Sequence, residues 1–215
     1  MELSEYLAMY AEQLSNELRP ILSIKEVTNN SDLLGMYTEA ALRNLVHRVV
    51  QPMRICTGAI LDYPLPETLK QRDIIIWAPF PVPAIFETQG FGLVPRSSAF
   101  GLIEVKRSNY SSVAEELEEF SAGANSSTAE PRGAVADYGK NYGMGVVSVL
   151  TGAPSGRLQK LLDEKKAVAI FDLTGERPAV RTKDVLTLVN FLFFIAWRYH
   201  MQMGLPSYPQ VAIPP

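Results

Sequence analysis

The chain has 215 residues, 47% of them hydrophobic and 20% charged, a balance that builds a substantial core and excludes a disordered tail. Its net charge of −3 gives no general attraction to a polyanion, so any nucleic-acid contact must come from a local basic patch. The one cysteine, Cys56, excludes an internal disulfide framework and fits a reducing, cytoplasmic setting, which is the expected location.

The N-terminus is amphipathic and acidic, without the basic-then-apolar order of a signal peptide. Leu3, Tyr6, Leu7, Tyr10, Leu14 and Leu18 recur at helical spacing, which predicts a helix over residues 2–18 that Pro20 stops. A second helix is expected from about Asn30–Asp32, where Asn and Ser offer capping oxygens, to about His47. Its apolar face reads as Leu33, Tyr37, Ala40, Ala41 and Leu45, with Glu39 beside that stripe. Arg54–Leu61, Asp73–Trp77 and Phe100–Lys106 read as three strands in a meander. Between the last two, Ala78–Ser98 carries four prolines and two glycines and reads as a long loop.

Ser111–Phe120 reads as a helix with Glu115, Glu116, Glu118 and Glu119 on its exposed side, followed by a turn-rich link over Ser121–Gly133. Gly145–Leu150 and Ala167–Leu173 are two further expected strands, with a short helix near Arg157–Lys165 between them. Thr182 is the expected cap of a last helix ended by Gly204, and the proline-rich Leu205–Pro215 reads as extended chain. The apolar run Val185–Trp197 is short for a membrane span and contains Asn190, so a buried helix is expected and no membrane contact. Its Phe191, Phe193, Phe194 and Trp197 fit a core, with a dimer interface as the lesser reading. The order is α-β-β-β-α-β-α-β-α with an extra N-terminal helix: an α/β fold with a central mixed β-sheet flanked by helices, in one domain over 1–215 with its core near 30–203.

Chemistry enters where two apolar strands carry carboxylates. Asp73 opens one; in the other, Glu104 and Lys106 share a face because strand side chains alternate. Phosphodiester hydrolysis needs an in-line water, neutralised phosphate charge and help for the leaving oxygen. A hard cation such as Mg²⁺ (or Mn²⁺) supplies much of this from one or two carboxylates plus water. Asp73 and Glu104 suit that cation if their strands are neighbours, and the Val105 backbone carbonyl would complete the set. Lys106 would orient or activate the attacking water, and Glu39 would act through water or support a second metal. Each residue also has an ordinary reading: Glu-x-Lys is common on salt-bridged surface strands, and Glu39 can pair with Arg43 one turn on.

The same residues carry a resemblance. Glu39, then Asp73, then Glu104-Val105-Lys106 resembles the motif of the PD-(D/E)XK nuclease superfamily, the restriction-endonuclease-like fold, with Arg72 where the superfamily's naming proline stands. Within it, GMYTEAALRNLV, CTGAILD, QRDIIIW and GLIEVKR, across Gly35–Arg107, are similar to an uncharacterised bacterial family, the domain of unknown function numbered 6602. The resemblance implies metal ligands at Asp73 and Glu104, a catalytic lysine at Lys106 and a helical acidic residue at Glu39, with Gln71 a polar neighbour.

The implied activity is divalent-metal-dependent cleavage of nucleic acid, with DNA the expected substrate. Arg43, Arg72, Arg107 and Lys70, near His47 and Arg48, would form a basic rim for phosphates, although scattered surface charge gives the same pattern. A homodimer would suit cutting both strands of a duplex. No Cys/His zinc spacing, nucleophile elbow or P-loop is present. The rival is a catalytically silent module of the same fold that binds a protein partner or nucleic acid, suggested by the acidic balance and the Phe-rich last helix.

Overall fold

The computed structural model describes residues 2–28, 30–62, 68–88, 90–106, 113, 115–117, 119, 143–147, 156–172 and 179–203. The expected link over 121–133, the residue Arg107 and the tail from 204 onward lie outside the described residues.

Helix α1 spans Leu3–Leu18 and buries Ala11, Leu14 and Leu18. Pro20 ends it as expected but also opens α2, Pro20–Val27. Proline suits a first helical position because that turn has no acceptor for its missing N–H. Helix α3 spans Ser31–Val50, and the Asn30 side chain accepts hydrogen bonds from the N–H groups of Asp32 and Leu33, which is the cap that the sequence offered.

The face of α3 differs from expectation. Leu33 and Tyr37 are half exposed, whereas Leu34, Thr38, Leu42, Leu45, Val46 and Val50 are buried. The buried stripe contains a threonine whose hydroxyl donates to the Leu34 carbonyl at 2.7 Å, so its polarity is satisfied within the helix. Glu39 and Arg43 then fall on the flank of that stripe, half buried.

The strands are β1 (Arg54–Leu61), β2 (Arg72–Trp77), β3 (Ile85–Thr88), β4 (Phe91–Pro95), β5 (Ala99–Lys106), β6 (Gly143–Val147) and β7 (Ala167–Ala169). They form one sheet in the order β3-β4-β1-β2-β5-β6-β7. The β1-β2-β5 meander is antiparallel, as expected, and β5, β6 and β7 run parallel, so the sheet is mixed. The expected loop over Ala78–Ser98 is instead largely a hairpin, β3-β4, whose second strand pairs in parallel with β1. Glycine, read as loop signal, here permits close strands: Gly58 has φ 148, and a Cβ there would lie 1.9 Å from the Gly92 carbonyl oxygen.

The expected strand Ala167–Leu173 breaks after β7, and its next piece, β8 (Phe171–Asp172), pairs with β9 (Ala179–Val180) in a separate ribbon. Helix α4 is Gly156–Asp163 and α5 is Thr182–Gln202. Thr182 is the first helical residue of α5 rather than its cap, a position held by Arg181.

One face of the sheet packs on α3 and α5, and α1 lies against α5. Its core includes Leu14, Leu42, Leu45, Ile76, Ile103, Leu188, Phe191 and Phe194, so the aromatic residues of α5 are mostly core. Gly101 admits this layer, since a Cβ there would meet the Ile195 side chain at 3.2 Å. A smaller cluster of Val113, Leu117, Leu158, Leu161 and Ala167 gathers helical residues within 113–119 and α4 against the β6-β7 side. Among the described residues no helix is long and apolar enough to cross a membrane.

Candidate active site

Strands β2 and β5 pair through Ile74 and Ile103, so Asp73 and Glu104 are the next residue on each toward the same end. Asp73 Oδ2 accepts the Val105 N–H at 2.8 Å, which fixes that carboxylate against the strand bearing Glu104 and Lys106. Lys106 Nζ lies 3.5 Å from Glu104 Oε2, as expected for side chains on one face. The structure therefore brings together the three residues that the sequence singled out on separate strands.

Glu39 reaches the same neighbourhood from α3. Burial raises its carboxyl above the ordinary value, the charge of Asp73 adds to this, and Arg43 and Lys106 pull the other way. Arg43 does not lie on an open rim: it donates to Thr57 Oγ1, which donates in turn to the Asp73 carbonyl at 2.9 Å. Thr57 stands opposite a bulge in β2: the register steps from Cys56–Ile75 to Gly58–Arg72, so Asp73 and Ile74 together face this one residue of β1. A lone arginine on a helix gave the sequence no sign of that tether.

Arg72 also departs from the expected phosphate rim. Its side chain is only 7% exposed, and it lies 3.6 Å from Glu104, 3.5 Å from Glu116 and 3.0 Å from Glu119. Lys70 is exposed and pairs with Glu119 at 3.0 Å. Two of the four expected phosphate contacts are thus engaged with acidic groups from the helical residues within 113–119.

Glu116 is the residue that the sequence reading placed wrongly, on an exposed acidic face. It is 17% exposed and sits 3.6 Å from Lys106 Nζ as well as beside Arg72. What lowers it onto the strands is the absence of a side chain at Gly145, the register partner of Glu104. A Cβ on Gly145 would lie 2.5 Å from Val113 Cγ1, so only glycine lets the helical residues approach this closely. Val113 and Leu117, four residues apart with Val113 three before Glu116, were the available sequence signal for this buried face.

The electrostatics follow from burial. Glu104 is 1% exposed, and desolvation, with Asp73 and Glu116 beside it, pushes its carboxyl up to about 9. Burial works against the Lys106 ammonium, but Glu104, Asp73 and Glu116 outweigh it and hold the lysine above its ordinary value. Lys106 is accordingly a cation at neutral pH, able to hold a water or a phosphate oxygen and not to accept a proton.

Among the described residues, no three His, Cys, Asp or Glu side chains converge into a ready-made metal cage. Asp73 and Glu104 nevertheless fit a cation of the Mg²⁺ type, which takes one or two carboxylates and completes its shell with water. Glu104 Oε1 is buried and accepts no hydrogen bond, although the Arg72 guanidinium stands 3.6 Å away. A buried acceptor in that condition gains most from a cation.

No family model matches the chain, and no curated protein matches it. Solved structures do. NucC from E. coli MS115-1 in its cAAA-bound form has a TM-score of 0.55 at 13% identity, covering 94% of this chain and 91% of that one. The cAAA-bound NucC of P. aeruginosa ATCC27853 gives 0.52 at 13%, covering 94% and 99%. The apo form of the E. coli protein gives 0.51 at 14%, covering 99% and 96%. The chain therefore shares the mixed α/β fold of NucC over most of its length. A likeness at this identity shows the fold, and it lends no support to the narrower likeness to the domain of unknown function 6602.

Proposed function

We propose that the chain is a divalent-metal-dependent nuclease that hydrolyses phosphodiester bonds, with DNA as substrate. The observation that carries this reading is the meeting of Asp73, Glu104 and Lys106 at one end of the β2-β5 pair, with a buried Glu104 oxygen left without a hydrogen-bond donor. The nuclease-like fold supports it.

Asp73 and Glu104 would hold Mg²⁺ or Mn²⁺ together with the Val105 carbonyl, and the bound ion would stabilise charge on the phosphate and lower the pKa of a water. Asp73 is held in place for this by the Val105 N–H. Glu104 must give up its proton to take part, and because burial makes that loss harder, alkaline pH should favour metal binding. Lys106 stays protonated, so its contribution is to orient the attacking water and offset the anionic charge that grows on the phosphoryl group. Glu39, raised in pKa beside Asp73, would accept a hydrogen bond from a water of the same shell.

The test is cleavage of plasmid, single-stranded DNA and RNA in Mn²⁺ or Mg²⁺, with and without added cAAA, because two of the similar NucC structures hold that ligand. Wild-type cleavage of DNA that Asp73→Ala and Lys106→Ala both lose is the expected result. A Lys106→Ala protein that cuts at the normal rate would overturn the role given to the lysine.

One observation favours the silent-module reading. Arg72 places a permanent cation against Glu104 inside the fold, which would neutralise a site that no longer takes metal. That reading predicts no cleavage of any substrate and no rise in melting temperature on adding Mn²⁺.

A further inference from the structure

Glu104, Arg72, Glu116 and Lys106 form a closed four-membered ring. Arg72 Nη1 lies 3.6 Å from Glu104 Oε1 and 3.5 Å from Glu116 Oε2, and Lys106 Nζ lies 3.5 Å from Glu104 Oε2 and 3.6 Å from Glu116 Oε1. Each carboxyl thus spends one oxygen on each cation. All four side chains are largely buried, at 7% exposure for Arg72, 1% for Glu104, 17% for Glu116 and 23% for Lys106. Glu119 extends the ring outward, holding the other Arg72 nitrogen at 3.0 Å without forming an ion pair to Lys106.

We propose that Glu116 is a positioning residue for Lys106, with Arg72 as its anchor. The proposal rests on the nuclease reading and deepens it. A flexible four-carbon lysine has no fixed direction unless more than one acceptor holds it. Glu104 alone would not serve, because a bound cation would take up its oxygens. Among the described ion pairs, Glu116 is then the carboxylate that would remain to hold the ammonium where the water and phosphate meet. Arg72 keeps Glu116 from swinging out to solvent, and its planar fork lets it hold Glu119 at the same time. The signal arises only in three dimensions, since Glu116 comes from a different element, whose Val113 packs where Gly145 has no side chain.

The experiment compares Glu116→Gln with Glu119→Gln, which touches Arg72 but makes no ion pair to Lys106. Glu116→Gln is expected to lower kcat about 10- to 100-fold with KM for DNA within about two-fold, the signature of a misplaced group. Glu119→Gln is expected to lower melting temperature and leave kcat unchanged. A second arm needs no activity: melting of the metal-free Lys106→Met and Glu116→Gln proteins and their double variant should show non-additivity of at least about 2 °C.

Wild-type kcat in Glu116→Gln, an equal kcat loss in Glu119→Gln, or additive melting shifts would each overturn the positioning role while leaving the nuclease standing. A wild type that cleaves nothing overturns the nuclease reading itself, and the positioning role with it.

Discussion

Strand β5 shows two different solutions on its two faces. On one, Gly101 and Ile103 lie against the apolar layer of α1, α3 and α5, where Phe191, Leu188 and Ile195 are fully buried. On the other, Glu104 and Lys106 meet Arg72 and Glu116, beneath a small cluster built on Val113 and Leu117. Apolar burial stabilises the first face with little sensitivity to pH or metal. The second face buries ionisable groups that are costly there unless paired, so its geometry is set by charge. A rigid apolar layer therefore carries a polar face whose stability and function pull in opposite directions.

That contrast can be broken at several points. The largest effect falls on chemistry: Asp73→Ala or Glu104→Ala should reduce cleavage by about 1,000-fold or more, equivalent to several kcal/mol of lost transition-state stabilisation. In the same assay Phe191→Ala should leave the rate per folded molecule intact while costing about 3–5 kcal/mol of stability, measured by urea unfolding. A Phe191→Ala protein that folds normally but cannot cleave would erase the division between the faces.

A smaller effect isolates the fit over the site. Gly145→Ala places a methyl 2.5 Å from Val113 Cγ1 and should cost about 1–3 kcal/mol with a fall in cleavage rate. Adding Val113→Ala should restore the rate, because the clash is with that side chain.

The pH response distinguishes the faces by another route. Burial pushes the Glu104 carboxyl up to about 9 in the native state, whereas in the unfolded chain it releases its proton near the ordinary 4.5. Between those values the native state binds the extra proton, so metal-free stability should fall as pH rises through this window. Glu104→Gln should flatten that decline, and Mn²⁺ should raise the melting temperature most at alkaline pH, as differential scanning fluorimetry would show. A steep decline that persists in Glu104→Gln would assign the effect elsewhere. The smallest effect belongs to Lys70→Ala. Its pair with Glu119 is exposed, at 58% and 49%, so stability should change by about 1 kcal/mol or less.

Much of this was legible in sequence where local rules act alone. The Asn30 cap, the three meander strands and the alternation that aligns Glu104 with Lys106 need only a few neighbouring residues. Where a local signal had two meanings, the reading failed. Gly90 and Gly92 looked like loop punctuation but sit in and beside the β3-β4 hairpin, and Leu33 and Tyr37 read as the apolar face of α3 but are half exposed, the buried stripe running through Leu34 and Thr38. In both cases the deciding contact was long-range, with β1 for the hairpin and with the core for the helix.

The sequence by itself determined the α/β order, the meander and the identity of Asp73, Glu104 and Lys106 as a candidate set, because strand periodicity and motif spacing are properties of the chain. Only the tertiary structure decided that Arg72 turns inward, that Arg43 tethers Asp73 through Thr57, and that Glu116 closes on Lys106. The physical reason is that a long charged side chain finds its partner by proximity in space. That proximity is fixed here by the bulge in β2 opposite Thr57 and by the missing side chain at Gly145, features whose consequences appear only when distant segments pack.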